Sequence, residues 1–233
     1  MKRYYLSLLL VCALAVSCSS TKTLKFTQKT DEIVSTQSLK DFLKENKNPK
    51  VVLRVRDATL SVTEKGNNDY LYNAIENQLL ASGFVVRDRQ LFNQIIENNE
   101  NNIDYKKLKE KSDTELIIEL TKIDPEIVYE TNKFYDKNDK EKIENNSFIY
   151  KKYGASVEFK VVMINSNEFA GIYKFNYTPC VKGCIISQSV KEMQKDKKAK
   201  AKETNKGYEG VAKNDLEAFM KDATKKLVEE MRK

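Results

Sequence analysis

DYLYNAIENQLLASGFVVRDR, residues 69–89, decides the fold. Leu71, Ala74, Ile75, Gln78, Leu79 and Ser82 recur at helical spacing and put one stripe along a helix from Asp69 to Ser82. Gly83 stands where the chain needs a left-handed residue to stop that helix. Phe84-Val85-Val86 reads as a short strand. Asp88 is placed to cap a helix starting at Arg89, with Leu91 and Ile95, and Phe92 beside them, facing inward.

The neighbouring segments repeat this alternation. Upstream, Lys50 to Asp57 is rich in β-branched residues and predicts a strand, with Val51, Leu53 and Val55 on one face. Downstream, Glu115 to Leu120 is another strand. Strands over 148–164 and 168–177 follow, joined by a turn at Asn165-Ser166-Asn167. In the first, Ala155, Val157, Phe159, Val161 and Met163 mark the buried face. Leu216, Phe219, Met220, Ala223, Leu227, Val228 and Met231 form the stripe of a C-terminal amphipathic helix. The order β-α-β-α-β-β-β-α predicts an α/β (α+β) fold, a mixed sheet packed with helices in one domain over 50–233. Within it, 189–206 is Lys-rich and nearly devoid of large apolar residues, a solvated helix or a link.

The start of the chain reads as an export signal. Lys2 and Arg3 precede an apolar run from Leu6 to Val16, which is shorter than the ~20 residues a spanning helix needs. Ala15-Val16-Ser17-Cys18 resembles the lipobox of bacterial lipoproteins, with Ala15 where Leu is usual. This predicts a signal peptide over 1–17 and a lipid on Cys18. A plain cleaved leader with an incidental cysteine is the alternative. Residue 19 is Ser rather than Asp, which by resemblance to known sorting rules implies the outer membrane. The absence of an acidic run after it implies the periplasmic face. Residues 18–49 are expected to be lipid anchor and tether, with a short helix near 38–46 opened by a Ser38/Asp41 capping box.

Composition excludes several chemistries. The 233 residues are 40% hydrophobic and 32% charged, enough for one core under a charged surface. The formal charge of +7 falls to +5 when Lys2 and Arg3 leave with the leader. Positive and negative side chains are interspersed, and no one-signed stripe or motif for nucleic acid is seen. There is no His, which removes Ser-His and Cys-His pairs, His metal sites and His bases together. No phosphate-binding glycine loop is present, and no cofactor is expected. Cys12 leaves with the leader, so Cys180 and Cys184 are the two thiols of the domain. In an oxidising compartment a structural disulfide is expected, with two free thiols or a redox pair as alternatives.

The run from Val51 to Ile96 resembles a known pattern. Its parts are the strand, the helix with Leu71, Ile75 and Leu79-Leu80, the stop Ser82-Gly83, the strand through Val85-Val86-Arg87, Asp88-Arg89, and the helix with Leu91 and Ile95-Ile96. Ser112 to Ile118, Val157 to Val162 and the turn from Asn165 to Phe169 continue it over about 50–177. This is similar to periplasmic lipoproteins such as the curli secretion channel and the lipoprotein activators of penicillin-binding proteins. The resemblance implies a domain like the N-terminal domain of TolB, which serves interaction rather than catalysis. Where the curli channel inserts membrane hairpins, this chain has Glu130 to Ser147, whose outer flank, Ile127 to Tyr135, does not keep one apolar face and whose tip is densely charged. The expected function is therefore a non-enzymatic envelope adaptor in assembly, secretion or cell-wall synthase regulation. An oligomeric secretion-channel component and an envelope-polymer hydrolase are the alternatives. Expected partners are the membrane, through the N-terminal lipid, and an envelope protein; a homo-oligomer is kept open. Phe134, Tyr135, Tyr173 and Tyr177 are the expected partner contacts.

Overall fold

The computed structural model describes residues 22–55, 68–96, 105–145, 149–186 and 210–233. Cys18 and the Lys-rich stretch 189–206 lie outside them. The fold is mixed α+β, with a C-terminal helix. In chain order its elements are β1 (Lys22–Leu24), β2 (Glu32–Ser35), α1 (Gln37–Glu45), β3 (Lys50–Val55), α2 (Asp69–Ala81), β4 (Val85–Arg87), α3 (Arg89–Ile96) and α4 (Tyr105–Lys111). Then come β5 (Leu116–Thr131), β6 (Lys133–Tyr135), β7 (Glu141–Ile143), β8 (Tyr150–Met163), β9 (Glu168–Tyr177), β10 (Cys184–Ile186) and α5 (Lys213–Arg232).

The chain divides into two compact units. Among the described residues, one comprises 22–26, 130–145, 149–150 and 180–186. The other comprises 27–55, 68–96, 105–129, 151–179 and 210–233. The stretch expected as a tether is corrected here: β1, β2 and α1 all lie between residues 22 and 45, and Leu24, Leu39 and Leu43 are buried. Among the described residues, folded structure is therefore already present from Lys22, well before residue 50. The cap of α1 is also not Ser38. Thr36 is extended and its hydroxyl accepts from the Leu39 N–H at 3.4 Å.

The larger unit is built on a six-stranded sheet in the order β2-β9-β8-β5-β3-β4. β3 runs parallel to both β4 and β5, while β9 is antiparallel to β8 and β2. One sheet face carries Val51, Leu53, Leu116, Ile118, Val157, Phe159, Tyr173 and Phe175, which pack with the buried stripes of α1, α2 and α5. On the opposite face Val52, Ile117, Val162 and Ile164 pack with Phe92 of α3 and Leu108 of α4. Leu91 is 60% exposed, so the inward residue of that turn is Phe92 and not Leu91. Asp88 caps α3 as expected, accepting from the Gln90 and Leu91 N–H groups at 2.7 and 2.9 Å.

Gly83 ends α2 at φ +88°. The Phe84 N–H donates back to the Leu79 carbonyl and the Gly83 N–H to that of Leu80, and Phe84 is buried under the turn. This pattern satisfies the last carbonyls of the helix. β5 runs well past the expected Leu120. β3 pairs with it only as far as Leu120, so Pro125, which has no N–H to give, sits beyond that ladder. Its carbonyl accepts from Val211 at 2.9 Å. The β8–β9 hairpin turns through Asn167 at φ +52° and shifts register between Val161 and Val162. Val161 opposes Gly171 and Val162 opposes Phe169, so Ala170 is the extra residue and the bulge lies on β9, while β8 keeps its ordinary alternation between the two cores.

A close approach fixes the far end of this hairpin. A Cβ on Gly154 would lie 2.4 Å from the Tyr177 carbonyl and 2.5 Å from the Tyr129 ring. Backbone cannot yield as a side-chain tip does. Gly154→Val is expected to lower unfolding stability by about 1–3 kcal/mol, read as a shift of the urea midpoint; an unchanged midpoint would refute the crowding.

Candidate functional site

Two sheet surfaces carry the exposed chemistry. The first belongs to the four-stranded sheet, ordered β10-β1-β6-β7. Thr23 pairs with Ile185 and Tyr135, Tyr135 with Glu141, and Lys133 with Ile143. Because strand side chains alternate, these residues share one face and Lys22, Leu24, Phe134 and Ile186 share the other. The second group makes a small core: Leu24 and Tyr150 are buried, with Phe26, Phe134 and Ile186 against them. Lys22 lies 4.4 Å over the Phe134 ring and pairs with Glu144 at 2.7 Å, and the Tyr150 hydroxyl donates to Glu144 at 3.0 Å. Lys22, then the Tyr150 bond, hold the Glu144 carboxyl below its ordinary range. Burial, then the Glu144 bond, push the Tyr150 phenol up. Phe134, expected as a partner contact, is therefore part of this packing.

Among the described residues nothing packs on the opposite face. Ile185 is 71% exposed and Ile143 65% exposed. Half-buried Tyr135 lies under Lys25 at 4.6 Å and donates to Glu141 at 3.3 Å, and Lys133 pairs with Glu141 at 2.8 Å. The β6–β7 turn is shaped by Asp136, whose carboxylate accepts from the Asn138 and Lys140 N–H groups. Those two bonds hold it below its usual range. Cys180 and Cys184 are joined as a disulfide with Cα atoms 5.1 Å apart. Cys180 (φ +56°) and Gly183 (φ +97°) take the left-handed conformations that this tight loop needs. The bridge ends at Cys184, the first residue of β10, and so fixes the strand that presents Ile185.

The second surface is the face of the six-stranded sheet near edge strand β2. Val34 pairs with Ile172, which pairs with Lys160; Glu32 pairs with Lys174, which pairs with Glu158. Val34 is 67% exposed, and Ile172 and Phe169 are exposed beside it. The Lys160 ammonium lies 5.3 Å from the centre of the Phe169 ring. Lys174 bonds Glu32 at 2.8 Å, which holds the Glu32 carboxyl down and the Lys174 ammonium up. Thr121 donates to the Glu158 carboxylate at 2.9 Å. Further along the same face, buried Arg54 and Glu119 form an ion pair at 3.6 Å.

Tyr173 is corrected. It is fully buried, and its hydroxyl donates to Ser35 Oγ at 2.9 Å, so it is core rather than contact. Tyr177 packs on the same core with its ring 5.8 Å from Phe219. Alternation turns Tyr173 and Tyr177 inward and Ile172 outward, and the register shift at Ala170 brings Phe169 to the same outward face as Ile172. The sequence does hold a sign of the missed residues, since Glu32-Ile33-Val34-Ser35 has β-branched neighbours, but it is short and lies in a polar stretch.

No protein-family model matches the chain, and no curated protein matches it. Among solved structures it is similar to a PelC dodecamer from Paraburkholderia phytofirmans, at 7% identity over 88% of this chain and 100% of that one, with a TM-score of 0.40. It is also similar to the hypothetical protein CT253 from Chlamydia trachomatis, at 14% identity over 79% and 93% of the two chains and a TM-score of 0.32. A neuraminyllactose-binding hemagglutinin homolog from Helicobacter pylori stands at 11% identity over 80% and 82%, also at 0.32. Likeness at these scores shows neither family nor function.

Proposed function

We propose that this protein is an exported envelope lipoprotein, anchored through Cys18 on the periplasmic face of the outer membrane, that acts as a non-catalytic adaptor. The carrying observation is the surface of Val34, Ile172 and Phe169 at the open edge of the six-stranded sheet, flanked by the Glu32–Lys174–Glu158 ladder. Exposed apolar side chains ringed by charge fit a protein partner, and an edge strand offers backbone groups for pairing. Two further features support this reading. The leader and its Ala15-to-Cys18 motif point to export, and a disulfide in the folded chain suits an oxidising compartment.

The test is photo-crosslinking from position 34 or 172 in intact cells. One discrete adduct to another envelope protein is expected, lost in Val34→Glu/Ile172→Glu while membrane fractionation is retained. An adduct of two copies of this chain alone would replace the adaptor with an oligomer. Unchanged fractionation of Cys18→Ala would remove the anchor.

A further inference from the structure

Only Ser19, Ser20 and Thr21 separate Cys18 from Lys22, the first residue of β1. Four extended steps span at most ~13–14 Å, so a lipid on Cys18 keeps β1 at the bilayer surface. Taking that anchor from the function proposed above, we infer that the open face of the β10-β1-β6-β7 sheet docks on the lipid surface itself. This is the face of Ile185, Ile143, Tyr135, Thr23, Lys25 and Lys133.

The chemistry of that face fits an interfacial occupant. Ile185 and Ile143 are aliphatic side chains standing free on opposite outer strands of the sheet. Between them lies Tyr135, a ring with a polar tip of the sort favoured at membrane interfaces. Lys25 pairs with Asp139 at 2.6 Å and Lys133 with Glu141 at 2.8 Å, and these ion pairs can stay among headgroups while the long lysine stems lie against lipid. Exposed Lys137, Lys140 and Lys182 in the flanking turns add cations that anionic lipid attracts. A free protein partner could dock on such a face only if the tether let the sheet rise away from the membrane, and three residues do not. The acyl chains supply the attachment, and the sheet face sets how the protein sits on it.

The test uses the full lipidated protein in vesicles of phosphatidylethanolamine and phosphatidylglycerol. A spin label is placed at Ile143→Cys or, as its opposite-face neighbour, at Lys142→Cys. Cys18 is consumed by lipid and Cys180 and Cys184 by their disulfide, so each variant has one free thiol. Accessibility to a water-soluble nickel chelate is expected to be several-fold lower at 143 than at 142, at one chain per vesicle. Equal accessibility in protein that floats with the vesicles would overturn the docking and leave the anchor standing. Protein that does not float would overturn the anchor and the docking with it. Shielding seen only at high protein density would assign the face to a second copy and overturn a lipid occupant.

Discussion

Tyr173→Ala lowers unfolding stability by about 3–5 kcal/mol, with the urea midpoint falling accordingly. Tyr173 is one of the largest fully buried side chains, set in the core shared by the sheet, α1, α2 and α5. Its removal leaves a cavity that rigid neighbours on β8 and α5 cannot fill. Tyr173→Phe keeps the ring and loses only the bond to Ser35, at a cost of about 1 kcal/mol. The pair of variants separates two roles for this residue. If Tyr173 met a partner, alanine would weaken crosslinking and leave the midpoint in place.

Removing one member of the Arg54–Glu119 pair is the other large effect. Both side chains are almost completely buried, on adjacent parallel strands and in register. Arg54→Met or Glu119→Leu alone removes one half of a buried ion pair and is expected to cost about 3–5 kcal/mol. The double variant removes both charges and is expected to recover most of that loss. A double-mutant cycle in urea would read the coupling directly. Single variants no less stable than the double would show that the pair is not buried as described.

The sequence made the helix stripes and the central hairpin legible because their signals are local. Leu216 to Met231 repeats at one angular spacing along α5, and Asn165 to Asn167 sits between two alternating runs. Gly83 and Asp88 were readable for the same reason, since each acts on the residues next to it. β1 and β2 were not readable. Three or four residues carry too little pattern, and their pairing partners lie far away, Ile186 for Lys22 and Lys174 for Glu32. The error over Leu91, with Phe92 inward as expected, has a similar source: α3 covers a sheet face whose position only the tertiary fold sets. The site was half legible. Aromatic residues on β9 drew attention to the correct strand, but one residue of offset separates the buried Tyr173 from the exposed Ile172. Tyr135 came out at a surface, whereas Phe134, next to it, turned inward.

α5 follows every strand of the larger sheet in chain order, yet it supplies much of the core's cover. Leu216, Phe219, Met220, Ala223, Leu227, Val228 and Met231 are all buried, chiefly against α2 and then α1, with β9 beside them. Until those residues arrive, α1 and α2 alone cover the face formed by Val51, Phe159 and Tyr173. A chain emerging N-terminus first thus cannot close its core early, and its contacts of long sequence separation form last. If the chain is exported as proposed above, that order suits translocation, since the core would lock only after the last helix had crossed.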